Sequence, residues 1–442
     1  MVTPAPRIGV PMAAPSSAAG GPTGDHRYDA VVVGGRVAGA ATAKLLAAEG
    51  LRVLVVDRDG HGTDTLSTHA LMRGAVTQLE RWGVAPTLRA ETPAIERVLF
   101  HYRKPAGTDP AVATTELPVT GNGATALLAP RRTLLDRVLV DAAADAGAEV
   151  RHRTRVLDVH RHPAGGSAGR VTGLRIADED GREADVAADV VIGADGLRST
   201  VARLLEVPIT RQGREASAYV MRYVEDLDGV PADAYQWLYG DRVGGGVIPT
   251  NDGRFAVFAG MTRDRFRTEI RQDPAAGFLT VLHELDPDLA EAVGRATPVG
   301  RPRSWPGVPG QFRQAAGPGW ALVGDAGYFK DPYAAHGISD ALRDAELLAT
   351  AIAAGGSEAD RRRHLADYET TRNRLSGPLF DVLERIASYD WSTDDLPGLH
   401  LQLGKAMSVE QKELAAMRAS RGLGALVDGV GRAVETRLPV AA

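Results

Sequence analysis

The 442-residue sequence contains no cysteine. This absence excludes disulfide bridges, thiol nucleophiles, and zinc or iron–sulfur sites that need cysteine ligands. His, Asp and Glu also form no cluster with metal-ligand spacing in the sequence, so we predict no bound metal. Any redox reaction of this chain would therefore depend on a bound organic cofactor.

Lysine is scarce, and neither sign of charge dominates. Five of the 51 basic residues are lysines, so the other 46 are arginines, and the net charge is −5. This balance argues against a general nucleic-acid-binding protein. No apolar run approaches the roughly 20 residues that a membrane span needs. We therefore expect a cytoplasmic protein.

The amino-terminal residues 1–27 are rich in Ala, Pro, Gly, Ser and Thr. They lack the basic start and the unbroken apolar stretch of a signal peptide. We predict that this segment is a disordered tail.

Regular structure is predicted from Tyr28 onward. The apolar run over residues 28–33 predicts a buried strand, and the Ala- and Leu-rich residues 38–49 predict a helix. Residues 51–56 predict a second buried strand, which is followed by Asp57. A strand, a glycine turn, a helix, a strand and an acid form a βαβ unit that is typical of dinucleotide-binding domains.

The glycine turn of this unit comprises Gly34, Gly35, Arg36 and Gly39. Gly34 permits the tight turn, and Gly39 lets the helix pack closely, so that the helix start can bind a pyrophosphate. Arg36 replaces the usual middle glycine, and its side chain either points outward or pairs with phosphate. Asp57 stands where a carboxylate accepts hydrogen bonds from an adenosine ribose. An ordinary βα turn is the alternative.

A later region predicts an antiparallel sheet inserted into this α/β frame. Residues 215–262 alternate polar and apolar side chains, and Asn251-Asp252-Gly253 predicts a hairpin turn. The other predicted elements are a helix over 132–146, β-ribbon over 150–189, buried strands over 189–193 and 320–324, and helices from 337 onward.

Two further motifs follow the buried strands, namely Asp195-Gly196 and Gly324-Asp325-Ala326-Gly327. The second motif continues through Pro332 to Ala335-His336-Gly337-Ile338. Together with the glycine turn, these motifs resemble those of the FAD-dependent aromatic monooxygenases of the para-hydroxybenzoate hydroxylase class. That class is related to geranylgeranyl reductases and flavin halogenases.

The resemblance implies an α/β fold with a Rossmann-like FAD-binding domain, an inserted antiparallel β-sheet substrate domain and a helical C-terminal segment. The expected FAD-binding domain is discontinuous and comprises residues 28–105, 130–212 and 295–385. The expected substrate domain comprises residues 106–129 and 213–294. The C-terminal segment, residues 386–442, is expected to cover the substrate side or to form a dimer face, in a monomer or a homodimer.

The resemblance also implies which residues contact FAD. The ADP half would lie against the glycine turn and Asp57, and Arg132 would reach the phosphates, with Arg131 as the alternative. Asp325 would hold the ribityl or pyrophosphate oxygens. The full implied set is Gly34, Gly35, Arg36, Gly39, Asp57, Arg58, Arg73, Arg132, Asp195, Gly196, Gly324, Asp325, Pro332, Ala335, Gly337 and Ile338.

The residue types that follow Gly324 suit a position beside the flavin ring. Pro332 can form a rigid wall, because its ring fixes the backbone. A helix that starts near Gly337 can direct its positive end at the flavin and stabilise the charge of the reduced ring. Ala335 and Ser339 replace a Gly and an Asn of the family pattern, which changes individual contacts.

The reaction implied by the resemblance is that of an NAD(P)H-using monooxygenase. NADPH or NADH would reduce FAD, O₂ would add at C4a, and the hydroperoxide would hydroxylate or epoxidise an aromatic or polycyclic small molecule. The Gly- and Arg-rich composition suits a bacterial tailoring enzyme of secondary metabolism, such as antibiotic biosynthesis. The alternative is an FAD-dependent reductase or dehydrogenase of the geranylgeranyl reductase type.

Two further alternatives fit the sequence less well. A flavin halogenase would carry a Lys beyond the first βαβ unit and a Trp-x-Trp-x-Ile-Pro motif. No Lys lies between Lys44 and Lys104, and no two tryptophans stand two positions apart. Asp195, Asp325 and Pro332 are retained, which argues against a non-catalytic nucleotide-binding protein.

His336 and His69 are the candidate catalytic residues. His336 stands next to the expected flavin ring, and His69 precedes Arg73 in the chain. For both, the alternative is a histidine without a catalytic role. Substrate contacts are expected from about half of the polar side chains of the inserted sheet, since strands alternate their faces. Those side chains are Tyr219, Arg222, Tyr223, Tyr235, Tyr239 and Arg242.

Overall fold

The computed structural model describes residues 27–103, 113–118, 124–162 and 169–421. The expected tail lies outside these residues except for Arg27, which begins the first strand. Parts of the expected substrate domain (106–112 and 119–123) and of the C-terminal segment (422–442) also lie outside them.

The described residues form helices and strands in the following order. The helices are α1 (Val37–Ala48), α2 (Arg73–Arg81), α3 (Ala85–Glu91), α4 (Arg132–Asp145), α5 (Thr200–Leu204), α6 (Arg263–Arg265), α7 (Pro274–Leu285), α8 (Pro287–Arg295), α9 (Gly337–Ala353), α10 (Glu358–Ala387) and α11 (Leu396–Arg421). The strands are β1 (Arg27–Val33), β2 (Val53–Val56), β3 (Arg97–Tyr102), β4 (Ala113–Pro118), β5 (Glu149–Arg151), β6 (Arg155–Arg161), β7 (Val171–Ala177), β8 (Glu183–Gly193), β9 (Ile209–Gln212), β10 (Ser217–Glu225), β11 (Ala234–Gly240), β12 (Val243–Pro249), β13 (Phe255–Thr262), β14 (Thr297–Trp305), β15 (Gln311–Arg313), β16 (Ala316–Gly317), β17 (Trp320–Leu322) and β18 (Tyr328–Phe329).

The first sheet confirms the predicted βαβ frame. Its strand order is β16-β17-β8-β1-β2-β5, and β17, β8, β1, β2 and β5 pair in parallel. Ala30 and Val32 face a core shared with α1, α4 and α9, whereas Val31 and Val33 face a core shared with β7 and α5. Burial on both faces explains why these strands are apolar throughout instead of alternating.

The second sheet is the inserted one, and it is wider than the sequence indicates. Its strand order is β14-β10-β13-β12-β11-β3-β4, and all neighbours are antiparallel except β11 and β3. β3 and β14 fall in the ranges 28–105 and 295–385, which were expected in the FAD-binding domain, yet both hydrogen-bond into this sheet. The chain enters and leaves the inserted unit through these strands, so the boundaries lie outside the alternating region.

The two faces of the second sheet pack against different partners. Val220, Leu238 and Val257 point outward to a core shared with α7 and α8. Tyr223 and Tyr235 point inward, toward the core of the first sheet and its helices, which we call the first domain. The inward face of the second sheet therefore packs against the first domain.

The predicted turn Asn251-Asp252-Gly253 connects β12 to β13. Asp252 and Gly253 have φ angles of 64° and 68°, which a tight hairpin of this hand requires. The side-chain oxygen of Asn251 accepts a hydrogen bond of 2.8 Å from the backbone N–H of Arg131. The hairpin is therefore tied to the start of α4 in the first domain.

Two long helices follow the sheets. α10 spans residues 358–387 and begins with a capping box, in which Ser357 and Asp360 exchange hydrogen bonds. α11 packs beside α10 and contributes Leu399 and Leu414 to the main core. Among the described residues, no helix is both long and apolar enough to cross a membrane.

Candidate active site

The turn after β1 requires glycine at two positions. Gly34 has a φ angle of +105°, and a Cβ atom there would lie 2.5 Å from the Ala194 oxygen. A Cβ atom on Gly39 would overlap the carbonyl oxygen of Gly34. These close approaches hold the start of α1 against the end of β8, where the N–H groups of a helix start can bind phosphate.

Asp57 fixes the same turn from the end of β2. Its buried carboxylate accepts hydrogen bonds from the backbone N–H of Gly35 at 2.5 Å and of Asp59 at 2.7 Å. Asp57 thus links the glycine turn to the loop after β2, and its side chain lies beside the start of α1. This is the position from which the sequence predicts a contact with ribose.

Arg36 lies among carboxylates. Its guanidinium nitrogens are 3.1 Å from Asp136 and 3.1 Å from Asp59. Partial burial lowers the pKa of Arg36, but Asp136 and Asp59 together raise it above its ordinary value. Arg58 is exposed and lies 3.9 Å from Asp59. In this arrangement Arg36 joins the glycine turn to α4.

The start of α4 carries the two predicted phosphate-binding arginines. The Nε of Arg132 donates to Asp136 at 2.9 Å, one turn further along the helix. Arg131 donates to Asp64 at 3.2 Å, and its guanidinium carbon lies 4.7 Å from the centre of the Tyr223 ring. Arg132 therefore stays on the first domain, whereas Arg131 reaches the inserted sheet.

Asp64 ties the two domains together. It lies 3.2 Å from Arg131 and 2.8 Å from Arg303, which belongs to β14. Burial raises the pKa of Asp64, but Arg303 and Arg131 outweigh it and hold the pKa below its usual value. The carboxylate is therefore ionised near neutral pH and compensates both arginines.

His69 is fully buried beside this ion pair. It has a φ angle of 66°, and its Nε2 forms a hydrogen bond with the hydroxyl of Tyr223. Its Nδ1 is buried without a partner among the described residues. Burial and the nearby charge of Arg132 lower the pKa of His69 to about 3, so the ring is neutral near pH 7. His69 can therefore orient Tyr223 but is not poised to exchange protons at that pH.

Asp195 follows β8 and organises the next helix. Its carboxylate accepts hydrogen bonds from the Ser199 hydroxyl at 2.5 Å and from the Thr200 N–H at 2.6 Å. Burial raises the pKa of Asp195, although these hydrogen bonds oppose the shift. Gly196 has a φ angle of +78°, and a Cβ atom there would meet no atom within 4 Å.

Asp325 follows β17, at the carboxyl end of the first sheet. Its side chain is exposed although Gly324 and Ala326 on either side are buried. Protein surrounds the carboxylate on most sides and raises its pKa, while the charges of Lys330 and Arg132 partly oppose this shift. Gly324 has a φ angle of +60°, and a Cβ atom there would lie 2.8 Å from the Ala38 side chain.

The segment after Asp325 forms a rigid corner before α9. Pro332 begins a single 3₁₀ turn, and Ala335 adopts a left-handed conformation with φ of +48°. Glycine adopts this conformation at lower cost, and the family pattern has glycine at this position. Gly337 begins α9, is exposed, and would place a Cβ atom within 4 Å of no other atom. Ile338 is half-buried, as is Arg73 at the start of α2.

The three motifs meet at one edge of the first sheet. The glycine turn, Asp195-Gly196 and Gly324-Asp325 follow the adjacent strands β1, β8 and β17, which run in parallel. Ligands of open α/β sheets bind at such carboxyl ends. This edge fits an extended dinucleotide such as FAD. The glycines of the first turn are closely packed, Gly196 and Gly337 leave open space, and Asp325 is exposed.

His336 is turned into a buried ionic network, which we define as Lys330, His336, Asp340, Arg343 and Glu410. His336 Nε2 lies 3.2 Å from Glu410, and Arg343 donates to Glu410 at 2.9 Å and to Asp340 at 3.0 Å. Lys330 pairs with Asp340. Burial lowers the pKa of His336, although Glu410 opposes the shift. His336 is thus 2 % exposed and is held by a helix from the C-terminal segment.

This network contains a possible ligand set for a metal, formed by His336, Asp340 and Glu410. Lys330 and Arg343 face the carboxylates of Asp340 and Glu410, and Arg343 also pairs with Asp344.

The inserted sheet directs its tyrosines toward the first domain and its arginines elsewhere. Tyr219, Tyr223, Tyr235 and Tyr239 share the inward face, where all four pack against the main core. Arg222 occupies the opposite parity on β10, and Arg242 is exposed in the turn after β11. The Tyr235 hydroxyl donates to the Leu128 oxygen at 2.7 Å.

Sequence reasoning named Tyr239 but missed the aromatic cluster around it, which we define as Phe100, Tyr102, Tyr239, Tyr333 and His400. The rings of Tyr239 and Tyr333 stack at 5.6 Å, and His400 lies 4.6 Å from Tyr239. His400 bonds to the Tyr102 hydroxyl through Nδ1 at 2.7 Å and to the Tyr333 hydroxyl through Nε2 at 3.2 Å. Burial lowers the pKa of His400 to about 4 and raises that of Tyr102 to about 12.

Glycines in the inserted sheet leave room for the aromatic rings of its inward face. A Cβ atom on Gly260 would lie 2.5 Å from the Tyr219 ring, and one on Gly246 would lie 2.7 Å from the Phe258 ring. Gly244 lies beneath Tyr239 and Tyr333 at 3.5 to 3.7 Å. The run Gly244-Gly245-Gly246 was the available signal in the sequence, since consecutive glycines in a strand mark a close approach.

Comparison with known proteins agrees with this geometry. Residues 27–381 match the family model described as FAD binding domain. Menaquinone reductase of Mycolicibacterium smegmatis is 29% identical over 351 residues, which cover 75% of this chain and 77% of that protein. A digeranylgeranylglycerophospholipid reductase of Methanothrix thermoacetophila is 28% identical and covers 74% and 79%, respectively.

Solved structures share the fold. The flavin-dependent brominase Bmp2 superposes with a TM-score of 0.70 at 19% identity, covering 89% of this chain and 99% of that one. Aklavinone-11 hydroxylase, solved with FAD and aklavinone, gives a TM-score of 0.63 at 23% identity, covering 82% and 68%. The matched family model spans most of the chain, so the protein belongs to the FAD-binding family and is a flavin-dependent oxidoreductase.

Proposed function

We propose that this chain is an NAD(P)H-using monooxygenase that hydroxylates or epoxidises an aromatic or polycyclic small molecule in bacterial secondary metabolism. The observation that supports it most is the aromatic inward face of the second sheet, where Tyr239 stacks on Tyr333 directly after Pro332. Aromatic side chains offer stacking surfaces to a planar substrate. The substrate would lie between this face and the edge where β1, β8 and β17 end.

FAD would occupy that edge. Gly34 and Gly39 would let α1 approach its pyrophosphate, Arg132 would face the phosphates, and Asp325 would accept hydrogen bonds from its hydroxyl groups. Bound FAD, once reduced by NADPH or NADH, supplies the electrons for reaction with O₂. The positive end of α9 at Gly337 would stabilise negative charge on the reduced ring.

The side chains of the inward face would orient the substrate and exclude water. Burial raises the pKa of Tyr219, Tyr235 and Tyr239 well above the usual range, so these hydroxyls remain protonated. The Tyr219 hydroxyl lies beside those of Ser217 and Tyr389. A protonated tyrosine hydroxyl can donate a hydrogen bond to an oxygen of the substrate, which fits a phenol or a quinone-like ring.

A second candidate function is an FAD-dependent reductase. The menaquinone and digeranylgeranylglycerophospholipid reductases among the relatives favour it, because their identity to this chain exceeds that of the structural neighbours quoted above. The same aromatic face could hold a conjugated isoprenoid or quinone. In that case the electrons of FAD would pass to the substrate and O₂ would not be consumed.

Oxygen dependence separates the two functions. The FAD-loaded protein is incubated with NADPH and a panel of phenols, anthraquinones and prenylated quinones, in air and under argon. We expect substrate loss and a mass gain of one oxygen in air only. A product that forms under argon and gains two hydrogens would show that the chain is a reductase and not a monooxygenase.

A further inference from the structure

A groove at one end of the second sheet is lined by arginines. It encloses about 940 Å³ between the start of β10, the turn after β11, the end of β13 with α6, the segment after β14 and the end of α10. The arginines that line it are Arg214, Arg242, Arg263, Arg267 and Arg271. Only two acidic residues line the same groove, Glu215 and Asp264, so it carries an excess of positive charge in a chain whose net charge is −5.

Most of these arginines have no carboxylate partner. Arg267 pairs with Asp264 at 3.1 Å. No carboxylate of the described residues lies within 4.0 Å of the side chains of Arg214, Arg242, Arg263 or Arg271. The neighbouring Arg265, which does not line the groove, is paired with both Glu269 and Glu284. Unpaired guanidiniums that face one space repel one another, and a bound anion would relieve that repulsion.

The floor of the groove is shaped to hold one of these arginines close. Gly307 has a φ angle of +81°, and a Cβ atom there would lie 2.8 Å from Cγ of Arg263 and 3.0 Å from the Ser217 oxygen. Any larger residue would therefore displace the Arg263 side chain. The backbone N–H of Ser217 donates to Asp331 at 2.6 Å, and Asp331 immediately precedes Pro332. The groove thus lies directly behind the corner that leads to α9.

A buried cluster of hydroxyl groups lies behind this floor. Ser217 and Tyr389 follow the lining residues Ala216 and Ser388, and both are at most 1 % exposed. Their hydroxyls interact with each other and with that of Tyr219. Polar groups therefore lie directly behind the groove.

We propose that this arginine groove binds a ligand that carries a diphosphate or two neighbouring phosphates. The planar guanidinium forms paired hydrogen bonds with phosphate oxygens, and several arginines in one groove favour a dianion over a single carboxylate. The proposal does not depend on whether O₂ or the substrate accepts the electrons. Two sources share this chemistry, namely the phosphates of NADPH and a phosphorylated end of the substrate.

Binding of inorganic pyrophosphate tests the groove directly. Titration calorimetry uses the FAD-loaded full-length protein, so that the FAD site is filled, and compares it with R263Q/R271Q. The matched control is R155Q/R301Q, which removes two exposed arginines outside the groove that have no ion pair among the described residues. Equal FAD content and Tm in both variants show that folding is preserved.

We expect the dissociation constant for pyrophosphate to rise at least about tenfold in R263Q/R271Q and to stay unchanged in R155Q/R301Q. Wild-type protein that fails to bind millimolar pyrophosphate would overturn the proposal, and so would an equal loss in the control. Both measurements are made without turnover, so they remain informative if the proposed reaction is wrong.

Competition identifies the source of the phosphates. Displacement of pyrophosphate by NADPH and NADH alike would assign the groove to the diphosphate that both coenzymes carry, and displacement by NADPH alone would assign it to the 2′-phosphate. Displacement by geranyl diphosphate and not by geraniol would assign it to a phosphorylated substrate. If neither a coenzyme nor geranyl diphosphate displaces pyrophosphate at millimolar concentration, a role for the groove in the reaction is contradicted.

Discussion

The two sides of the cleft are built from different kinds of contact. On the proposed cofactor side, Gly39 approaches the Gly34 oxygen and Asp57 bonds to Gly35, and these contacts join positions at most 22 residues apart, although Gly34 also approaches the distant Ala194. On the proposed substrate side, the Tyr102–His400 hydrogen bond joins positions 298 residues apart. The proposed cofactor side is therefore set mainly by local backbone geometry, whereas the proposed substrate side is set by the packing of distant side chains. Substitutions on the two sides should separate FAD binding from substrate binding.

The largest effect is expected for G39V. Its Cβ atom would overlap the Gly34 carbonyl oxygen, and neither backbone segment can move without breaking the turn. We expect loss of bound FAD and a fall of about 5 kcal/mol or more in the free energy of unfolding. Denaturant titration and the absorbance of flavin in the purified protein measure both effects.

G404A is the control for this substitution. Gly404 is exposed inside α11, where an added Cβ atom would meet no atom within 4 Å. Alanine stabilises an exposed helix interior by about 0.5–1 kcal/mol relative to glycine. A G39V protein that retains FAD as well as G404A does would show that the glycine turn does not hold the cofactor.

E410A tests how α11 is attached. Glu410 is buried and bonds to Arg343 and His336 at the start of α9, so its removal breaks both contacts between α11 and α9, while Arg343 keeps Asp340 and Asp344. We expect a loss of about 3 kcal/mol in the free energy of unfolding, because hydrogen bonds to charged groups contribute about 1.5–3 kcal/mol each. E413A is the matched control, because Glu413 forms only a surface pair with Arg374, and such pairs contribute about 0–1 kcal/mol.

The pH dependence of the same contact has a definite sign. Arg343 and the other cations hold the pKa of Glu410 near 2 although burial alone would raise it. A lowered pKa contributes stability that is present above the ordinary value of about 4.5 and is lost as the pH falls toward 2. Wild-type protein and E410A should therefore converge in stability in acid. A constant difference from pH 7 to pH 2.5 would contradict the network.

Much of the proposed cofactor side could be predicted from the sequence, because its residues are close together in the chain. Gly34, Gly39 and Asp57 stand in one segment, because a tight turn and a helix start impose residue types at fixed spacing. Tyr333 could have been predicted, since it directly follows Pro332 in a motif that the sequence already singles out. His400 and Glu410 carried no such signal, because they lie on α11 and meet the site only through tertiary packing.

Asp331 lies between the proposed cofactor and substrate sides. Its ionisation predicts a pH dependence of stability opposite in sign to that of Glu410. Burial raises the pKa of its carboxyl from 3.8 to about 6, although the N–H groups of Ser217 and Tyr333 oppose the shift. A raised pKa contributes stability below about 4 that is lost as the pH rises through 6. Relative to D331N, wild-type protein should lose about 2–3 kcal/mol between pH 4 and pH 7. Parallel stability curves for the two proteins would show that Asp331 ionises normally.

The smallest effect on stability, and the most specific one on binding, is expected for H400A. It removes the hydrogen bonds to Tyr102 and Tyr333 and one ring of the aromatic cluster. We expect a stability loss of about 1–2 kcal/mol, because two hydrogen bonds of about 1 kcal/mol each are lost. FAD content should not change, whereas the KM for the aromatic substrate should rise.

H283A is the control, because His283 is exposed on α7. A rise in KM that is equal in H400A and H283A, or a loss of FAD in H400A, would mean that the aromatic cluster does not belong to the substrate side.

Isotope labelling under ¹⁸O₂ tests the central claim most directly. The FAD-loaded protein turns over with NADPH and an aromatic substrate found in the panel, and mass spectrometry follows the product. We expect one ¹⁸O atom per product molecule from ¹⁸O₂ and none from H₂¹⁸O. A product that contains no ¹⁸O and has gained two hydrogens would contradict the monooxygenase and establish a reductase in its place.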